Sequence, residues 1–167
     1  MRRHSRNNLD VRASRAMALP IREILVPTDF SEHSNYALRY ALALAGQIGA
    51  RITLLHVLES PVIAPDEFYP GPVAPNILRA EQAIARTWET EKSKHPSQHQ
   101  SIVKEGVPSQ MIIETATAKG SDLIVIATHG RSGLAHVVLG STTEKVIRQA
   151  PCPVLVVRFP GGHLVKE

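Results

Sequence analysis

The chain has 167 residues, of which 43% are hydrophobic and 4% aromatic, and this length fits one domain with a sizeable core but not two. Its net charge of +4 lies wholly in residues 1–19, which hold five arginines and one aspartate, so the other 14 basic and 14 acidic residues balance and give no sign of a nucleic-acid-binding surface. No apolar run approaches the roughly 20 residues of a membrane span, and one cysteine excludes an internal disulfide. We therefore expect a cytoplasmic protein with neither nucleic acid nor membrane as a partner.

The sequence suggests three regions. Residues 1–20 are rich in Arg, Asn and Ser, as in disordered arms and in organellar transit segments. A start at Met17 is a third reading of this stretch. We favour a flexible basic arm, followed by a folded domain over residues 21–159 and a short tail over 160–167.

The first predicted elements alternate between strand and helix. Residues 24–28 form an apolar strand, after which Ser31 is placed to cap a helix that continues to Gly49. A second strand covers residues 51–58. The five prolines of residues 59–75 predict a long loop.

The second half continues this alternation. A polar helix is predicted over residues 76–94, a strand over 101–105 and a helix from Pro108 to Gly120. Two further strands follow, at residues 123–127 and 154–157. Alternating strands and helices without hairpin signals predict an α/β fold, an open, doubly wound, five-stranded parallel sheet with helices on both faces. Such sheets bind ligands where strand order reverses, which directs attention to the loops after strands one and four.

The loop after the fourth strand has the composition of an anion site. Gly130 and Gly133 permit close approach of the backbone to a ligand, and Gly140-Ser141-Thr142 begins a helix, whose free N–H groups favour phosphate. Arg131 can add positive charge. Neither a Walker loop nor a Rossmann glycine pattern is present. The alternative is that the glycines only turn the chain and that Ser141 or Thr142 caps the helix without any ligand.

Four motifs together resemble the universal stress protein family over residues 21–158. They are Val-Pro-Thr-Asp at the end of strand one, His-Gly-Arg-Ser-Gly in the loop, Gly-Ser-Thr-x-Glu-Lys-Val at the helix start and the closing Pro-Cys-Pro-Val-Leu-Val-Val. The resemblance implies a Rossmann-like, adenine nucleotide alpha hydrolase-like fold and a homodimer. In one branch of the family it also implies an ATP site with the pattern Gly-x2-Gly-x9-Gly-Ser/Thr.

The resemblance assigns the site position by position. The second and third motif glycines fall on Gly130 and Gly140, the hydroxyl falls on Ser141, and Ala127 replaces the first glycine. Asp29 matches an aspartate suited to ribose hydroxyls or a phosphate-bound metal, although it also suits a helix entry. The backbone of Val57 corresponds to the position that reads the adenine edge. The complete predicted nucleotide site comprises Pro27, Thr28, Asp29, Val57, Ala127, His129, Gly130, Arg131, Gly133, Gly140, Ser141 and Thr142.

Other reactive residues favour structural roles. His56 lies in an apolar strand and is predicted to be a core histidine with its hydrogen bonds satisfied, and Cys152 a packed thiol. His129 and His136 lack partners at metal-ligand spacing, and Ser132 is not in a nucleophile elbow. We predict no catalytic residue and no protein-held metal site.

Two functions follow from these residues. The favoured one is a regulator of the stress response that senses ATP bound together with Mg²⁺ and hydrolyses it slowly at most. The alternative is a dimeric interaction module of the same family that binds no nucleotide, which Ala127 favours slightly. An adenylate-transfer enzyme ranks last, because only Arg131 offers charge to the phosphates. We expect the homodimer to form through the edge strand at residues 154–157.

Overall fold

A computed structural model describes residues 20–59, 73–92, 98–129 and 139–160. Within these residues five strands alternate with four helices. No described helix combines the length and apolar character that crossing a bilayer requires. The elements are β1 Glu23–Thr28, α1 Glu32–Ile48, β2 Arg51–Leu58, α2 Val73–Lys92, β3 His99–Glu105, α3 Pro108–Lys119, β4 Leu123–Ala127, α4 Ser141–Gln149 and β5 Val154–Val157.

The sheet is parallel throughout, in the order β3-β2-β1-β4-β5. The predicted α/β fold is thereby confirmed, and strand order reverses between β1 and β4. β1 pairs with β2 along its full length, from Glu23 opposite Arg51 to Thr28 opposite His56. Within the described strands β1 pairs with β4 only at Ile24 and Leu25. The carboxyl-terminal halves of the two central strands are therefore not joined to each other.

One core layer lies between the sheet and helices α1 and α2. Every second strand residue points to this side, since successive side chains of a strand face opposite ways. The layer is closed by Trp88 of α2, whose ring stacks on His99 of β3 at 3.6 Å between centroids. The buried strand residues of this layer are Ile24, Val26, Ile52, Leu54, Leu123, Val125, Ala127 and Val157.

A second, smaller layer lies on the opposite face, under α3 and α4. It combines strand residues of the other parity with Ile112 and Ala116 of α3 and Val146 of α4. The central strands β1 and β4 are buried on both faces, which explains why they read as continuous apolar runs. Cys152 packs at the edge of this layer, and burial raises the pKa of its thiol, in agreement with the predicted packed thiol.

The predicted ends of α1 are also present. Ser31 occupies the N-cap and its side chain accepts a hydrogen bond from the Ser34 N–H at 3.2 Å. Gly49 ends the helix at φ 73°. Glycine adopts this left-handed conformation easily because it has no Cβ.

Two predicted element starts differ from the structure by more than one residue. Helix α2 begins at Val73 rather than residue 76, so Pro75 lies in its first turn instead of the preceding loop. A helix tolerates proline there because the first N–H groups have no partner within the helix. Strand β3 begins at His99, before the predicted residue 101, because its pairing with β2 starts opposite Ile52. The rest of the predicted proline-rich loop, residues 60–72, lies outside the described residues, as do the arm and most of the tail.

Asp122 ties the entrance of β4 to that of β1. Its Oδ2 accepts hydrogen bonds from the N–H groups of Arg22 at 2.8 Å and Glu23 at 3.0 Å, and these bonds hold the pKa of the carboxyl below its ordinary value of 3.8. A carboxylate whose folded pKa is lowered stabilises the fold above its unfolded pKa, and this contribution is lost as pH falls through the folded pKa.

We expect Asp122→Ala to lower Tm at pH 7 by about 2–4 °C, because two hydrogen bonds to a charged acceptor are lost. The difference from the wild type should shrink as pH falls below about 4. Thermal unfolding followed by circular dichroism between pH 7 and pH 2 measures both effects, with Glu114→Ala, an exposed position on α3, as the control. A difference that does not change with pH would contradict the role of the ionised carboxylate.

Candidate functional site

A cavity of about 600 Å³ opens at the carboxyl ends of β1, β2 and β4. Its volume falls within the range of roughly 300–1,000 Å³ for small-molecule sites. It lies at the reversal of strand order, where doubly wound sheets bind ligands. Two further clefts among the described residues lie near Arg51 and Gln98, at the amino ends of β2 and β3, away from the predicted site.

The structure brings most of the predicted site residues into this one cavity. Gly130, Arg131 and Gly133 lie outside the described residues, so their part in the site stays a prediction. The predicted residues that line the cavity are Pro27, Thr28, Asp29, Val57, Ala127, His129, Gly140, Ser141 and Thr142.

The turn after β1 carries Asp29, one of the two acidic residues that line the cavity. Asp29 Oδ1 accepts hydrogen bonds from the backbone N–H of Ser31 at 3.1 Å and from its Oγ at 2.6 Å. Thr28 Oγ1 accepts from the Phe30 N–H at 3.1 Å and lies 3.2 Å from Ser34 Oγ. Asp29 thus serves the entry into α1, as one reading of the sequence proposed, and also lines the cavity. The two roles coexist.

The same turn contains an unusual backbone conformation. Phe30 has φ 64° and is the one non-glycine residue with positive φ in the described part of the chain. For a bulky residue this conformation costs about 1–3 kcal/mol and persists only where neighbouring contacts hold it. The ring of His56 lies 4.3 Å from the Phe30 ring, and its Nδ1 lies 2.8 Å from the Thr28 carbonyl oxygen. His56 is buried, so the predicted core histidine with satisfied hydrogen bonding is confirmed.

The start of α4 forms another wall. Gly140 is the N-cap, so the alternative in which Ser141 or Thr142 caps this helix was wrong. The Gly140 N–H donates to the Thr128 carbonyl oxygen at 2.8 Å, and a Cβ at Gly140 would lie 3.3 Å from that oxygen. Glycine therefore permits close contact between the helix start and the end of β4. Ser141 and Thr142 follow in the first turn, whose N–H groups and dipole favour an anion.

Ala127 presents its two sides to different neighbours. Its carbonyl oxygen accepts a hydrogen bond from Thr143 Oγ1 at 2.9 Å, which connects β4 to the first turn of α4. Its methyl group belongs to the core layer under α1, with Val26 and Val157. The methyl that replaces the first motif glycine is thus accommodated in the core.

An apolar wall completes the cavity on the side of the sheet that α3 covers. It is contributed by strand ends and by the first turn of α3, and a flat, weakly polar group fits against such a surface. The residues of this wall are Leu55, Val57, Pro108, Ile112 and Ile126.

The charged groups that line the cavity are few. The carboxylates of Asp29 and Glu59 face it, and within the described ranges no Lys or Arg joins them. His129 Nδ1 lies 3.1 Å from Thr128 Oγ1. No cluster of three or more His, Cys, Asp or Glu side chains suited to a metal occurs among the described residues.

Several lining residues escaped the sequence analysis. Thr143 lies one residue beyond the predicted motif, and Ser34 follows the cap residue Ser31 by one helical turn, a spacing that could have identified it. Glu59 comes directly after β2. Pro108 and Ile112 reach the cavity because α3 packs beside β2 and β1, and this neighbourhood becomes visible only with the sheet order known. The missed lining residues are Ser34, Leu55, His56, Leu58, Glu59, Pro108, Ile112, Ile126 and Thr143.

Comparison with known proteins agrees with this architecture. The model of the universal stress protein family matches residues 20–158. The chain belongs to the universal stress protein family. Universal stress protein MJ0531 of Methanocaldococcus jannaschii is 33% identical over 142 residues, which cover 83% of this chain and 83% of that protein.

Solved structures of universal stress proteins share the fold. The structure of MJ0577 from Methanocaldococcus jannaschii has a TM-score of 0.74 at 30% identity and covers 86% of this chain and 99% of its own. A universal stress protein from Archaeoglobus fulgidus in complex with dAMP has a TM-score of 0.61 at 19% identity, covering 83% of this chain and 98% of its own. At that identity the likeness concerns the fold alone.

Proposed function

We propose that this universal stress protein binds ATP, with Mg²⁺, in the cavity at the carboxyl ends of β1, β2 and β4, and acts as a cytoplasmic, nucleotide-sensing regulator of the stress response. The observation that carries the proposal is that one cavity combines an apolar wall, a carboxylate-bearing turn and a helix start. These three surfaces match a base, a ribose and a phosphate chain. Because the dAMP complex resembles this chain in fold only, the proposal rests on the cavity.

The apolar wall would take the adenine. Val57 and Ile126 are contributed by strand ends, and Ile112 by α3, so a planar base would bury apolar area against them. We assign the backbone of Val57, at the end of β2, to hydrogen bonding with the base edge, as the family resemblance implies. Under this assignment, hydrogen bonds from the backbone, rather than from a side chain, give the site its preference for adenine.

The turn after β1 would take the ribose and the metal. The Asp29 carboxylate accepts hydroxyl donors, and Mg²⁺ in nucleotide sites is held by one or two carboxylates together with the phosphates and water. This turn offers a single lining carboxylate. It therefore suits a Mg²⁺ ion that binds together with ATP rather than an ion that the protein holds without nucleotide.

The start of α4 would take the phosphates. Gly140 has no side chain between the backbone and the cavity, and the hydroxyls of Ser141 and Thr142 add donors to the N–H groups of the first turn. We include Gly130, Arg131 and Gly133 in this part of the proposed site on the motif alone.

We propose that hydrolysis is slow at most. A general base must reach the attacking water. Three of the four described groups with suitable chemistry have other partners: His56 the Thr28 carbonyl, His129 the Thr128 hydroxyl and Asp29 the Ser31 hydroxyl. The fourth, Glu59, follows β2, on the side of the cavity proposed for the base. This arrangement supports binding rather than turnover.

Calorimetric titration of the purified protein with ATP and Mg²⁺ tests the proposal, with GTP as the comparison ligand. We expect saturable one-site binding of ATP, weaker binding of GTP and a rise in Tm with ATP concentration, because a ligand that binds only the native state stabilises it. If neither heat nor a Tm shift is detected with ATP, the second candidate function, a family interaction module without nucleotide, takes its place.

Ala127 is the residue that favours this second candidate. The variant Ala127→Gly tests whether the methyl group of Ala127 weakens ATP binding. Because the methyl group packs in the core under α1, we expect the glycine variant to bind ATP within about threefold of the wild type while losing about 1 kcal/mol of stability. Calorimetry and urea unfolding measure the two quantities. A tenfold or larger gain in affinity would indicate instead that the methyl obstructs the nucleotide.

We also propose a homodimer through β5. This strand pairs with β4 on one side and ends the sheet on the other, and its residues Val154, Leu155 and Val156 are only partly buried. Apolar edge strands are suited to pairing across a two-fold axis. Sedimentation velocity over a range of concentrations is expected to show a dimer, and a monomer throughout would contradict the proposal.

A further inference from the structure

His56 makes two contacts to the turn after β1. It lies at the end of β2 opposite Thr28, and its Nδ1 is 2.8 Å from the Thr28 carbonyl oxygen. A carbonyl oxygen can only accept, so Nδ1 carries the hydrogen. The ring also lies against Phe30, at 4.3 Å and 34° between the planes. One side chain therefore holds the turn both before and after Asp29.

The contacted turn needs such support. Phe30 has φ 64°, a conformation that a bulky residue leaves unless its surroundings hold it. Thr28 Oγ1 accepts a hydrogen bond from the Phe30 N–H at 3.1 Å, and Asp29 Oδ1 accepts two hydrogen bonds from Ser31. These bonds define the shape of the turn, but they lie within it. The His56 side chain adds contacts from the neighbouring strand, to the Thr28 carbonyl and the Phe30 ring.

We infer that His56 is a positioning residue of the cavity: it sets the backbone of residues 28–31 and thereby the direction in which Asp29 presents its carboxylate. The use of that carboxylate for nucleotide rests on the proposed function, whereas the control of the turn by His56 does not. A core histidine with its hydrogen bond satisfied and a positioning histidine both make the Nδ1 bond to Thr28. The two roles differ in whether loss of this bond changes the conformation of residues 28–31.

Two substitutions separate the hydrogen bond from the bulk. His56→Asn keeps an N–H donor at the place of Nδ1 and removes the ring. His56→Phe keeps a ring against Phe30 and removes the donor. A core-filling role predicts that ATP affinity follows stability, with phenylalanine the better replacement. A positioning role predicts the opposite order for affinity.

The experiment uses isotope-labelled full-length protein. NMR reports the protonation of the His56 ring nitrogens in the wild type and the amide shifts of Asp29 and Phe30 in all three proteins, while calorimetry gives the Kd for ATP with Mg²⁺ and thermal unfolding gives Tm. We expect a protonated Nδ1, wild-type-like amide shifts and a Kd within about threefold for His56→Asn, and displaced shifts with a Kd raised about tenfold or more for His56→Phe.

The outcomes separate this inference from the proposed function. Wild-type affinity and unchanged Asp29 and Phe30 amide shifts in His56→Phe would overturn the inference, and so would an unprotonated Nδ1 in the wild type. If the wild type binds no ATP, the proposed function fails, and the amide shifts decide the inference alone. Displacement of these shifts in His56→Phe but not in His56→Asn then supports it, and any other pattern overturns it.

Discussion

Gly140→Val is expected to weaken ATP binding by about a hundredfold or more. A Cβ at this position would lie 3.3 Å from the Thr128 carbonyl oxygen and 3.8 Å from His129 Cα, and the two methyl groups of valine enlarge the conflict. The backbone angles of Gly140, φ −67° and ψ 146°, are open to valine, so steric contact rather than backbone strain causes the effect. The start of α4 or the end of β4 must then shift by a few tenths of an ångström, which displaces the N–H groups that would converge on the proposed phosphate position.

Gly46→Val is the matched control for this change. Gly46 is exposed on α1, and a Cβ there meets nothing within 4 Å. We expect this variant to keep wild-type affinity by calorimetry, whereas Gly140→Val loses it while retaining a cooperative unfolding transition. Binding by Gly140→Val within threefold of the wild type would remove the helix start from the proposed site.

Leu54→Ala is expected to destabilise the protein by about 3 kcal/mol, which corresponds to a fall in Tm of about 6–12 °C. Leu54 lies in β2 with no exposed surface and belongs to the core layer under α1 and α2. Removing its three outer carbons forfeits their burial and leaves a cavity that the paired strands on both sides cannot close. Urea unfolding at 25 °C measures the loss of free energy.

The same substitution at an exposed leucine provides the comparison. Leu78 of α2 is 56% exposed, so Leu78→Ala should change the free energy of unfolding by no more than about 0.5 kcal/mol. Similar losses at both positions would contradict the arrangement of the core described above.

The fold could be predicted because its strands and caps leave local signals. The apolar runs at residues 123–127 and 154–157, the cap at Ser31 and the terminator at Gly49 all mark real boundaries. The start of α2 could not be located in this way, because Pro75 reads as a loop residue although the first turn of a helix accepts it. The start of β3 depends on pairing with β2, a contact between distant parts of the chain.

The candidate site was predictable where a motif or the strand-order rule pointed to it. Asp29 and Ser141 follow from their places after β1 and at the start of α4. Apart from Val57, the apolar wall could not be predicted, because Ile112 reads as an ordinary helix residue until α3 is placed beside the strand ends. The role of His56 was also hidden, since its sequence context indicates burial but not the carbonyl that it contacts.

The pairing between β1 and β4 is short, and we call the boundary between these two strands the seam of the sheet. Strands β1, β2 and β3 come from residues 23–105 and strands β4 and β5 from residues 123–157, and within the described strands the two sets pair in the sheet only at Ile24 and Leu25. The cavity opens above the unpaired part of this seam, so each half of the chain supplies an incomplete set of its walls. A nucleotide bound there would contact both halves of the chain and hold them together. The fraction of protein with bound nucleotide would then depend on how the halves pack against each other rather than on the folding of either half alone.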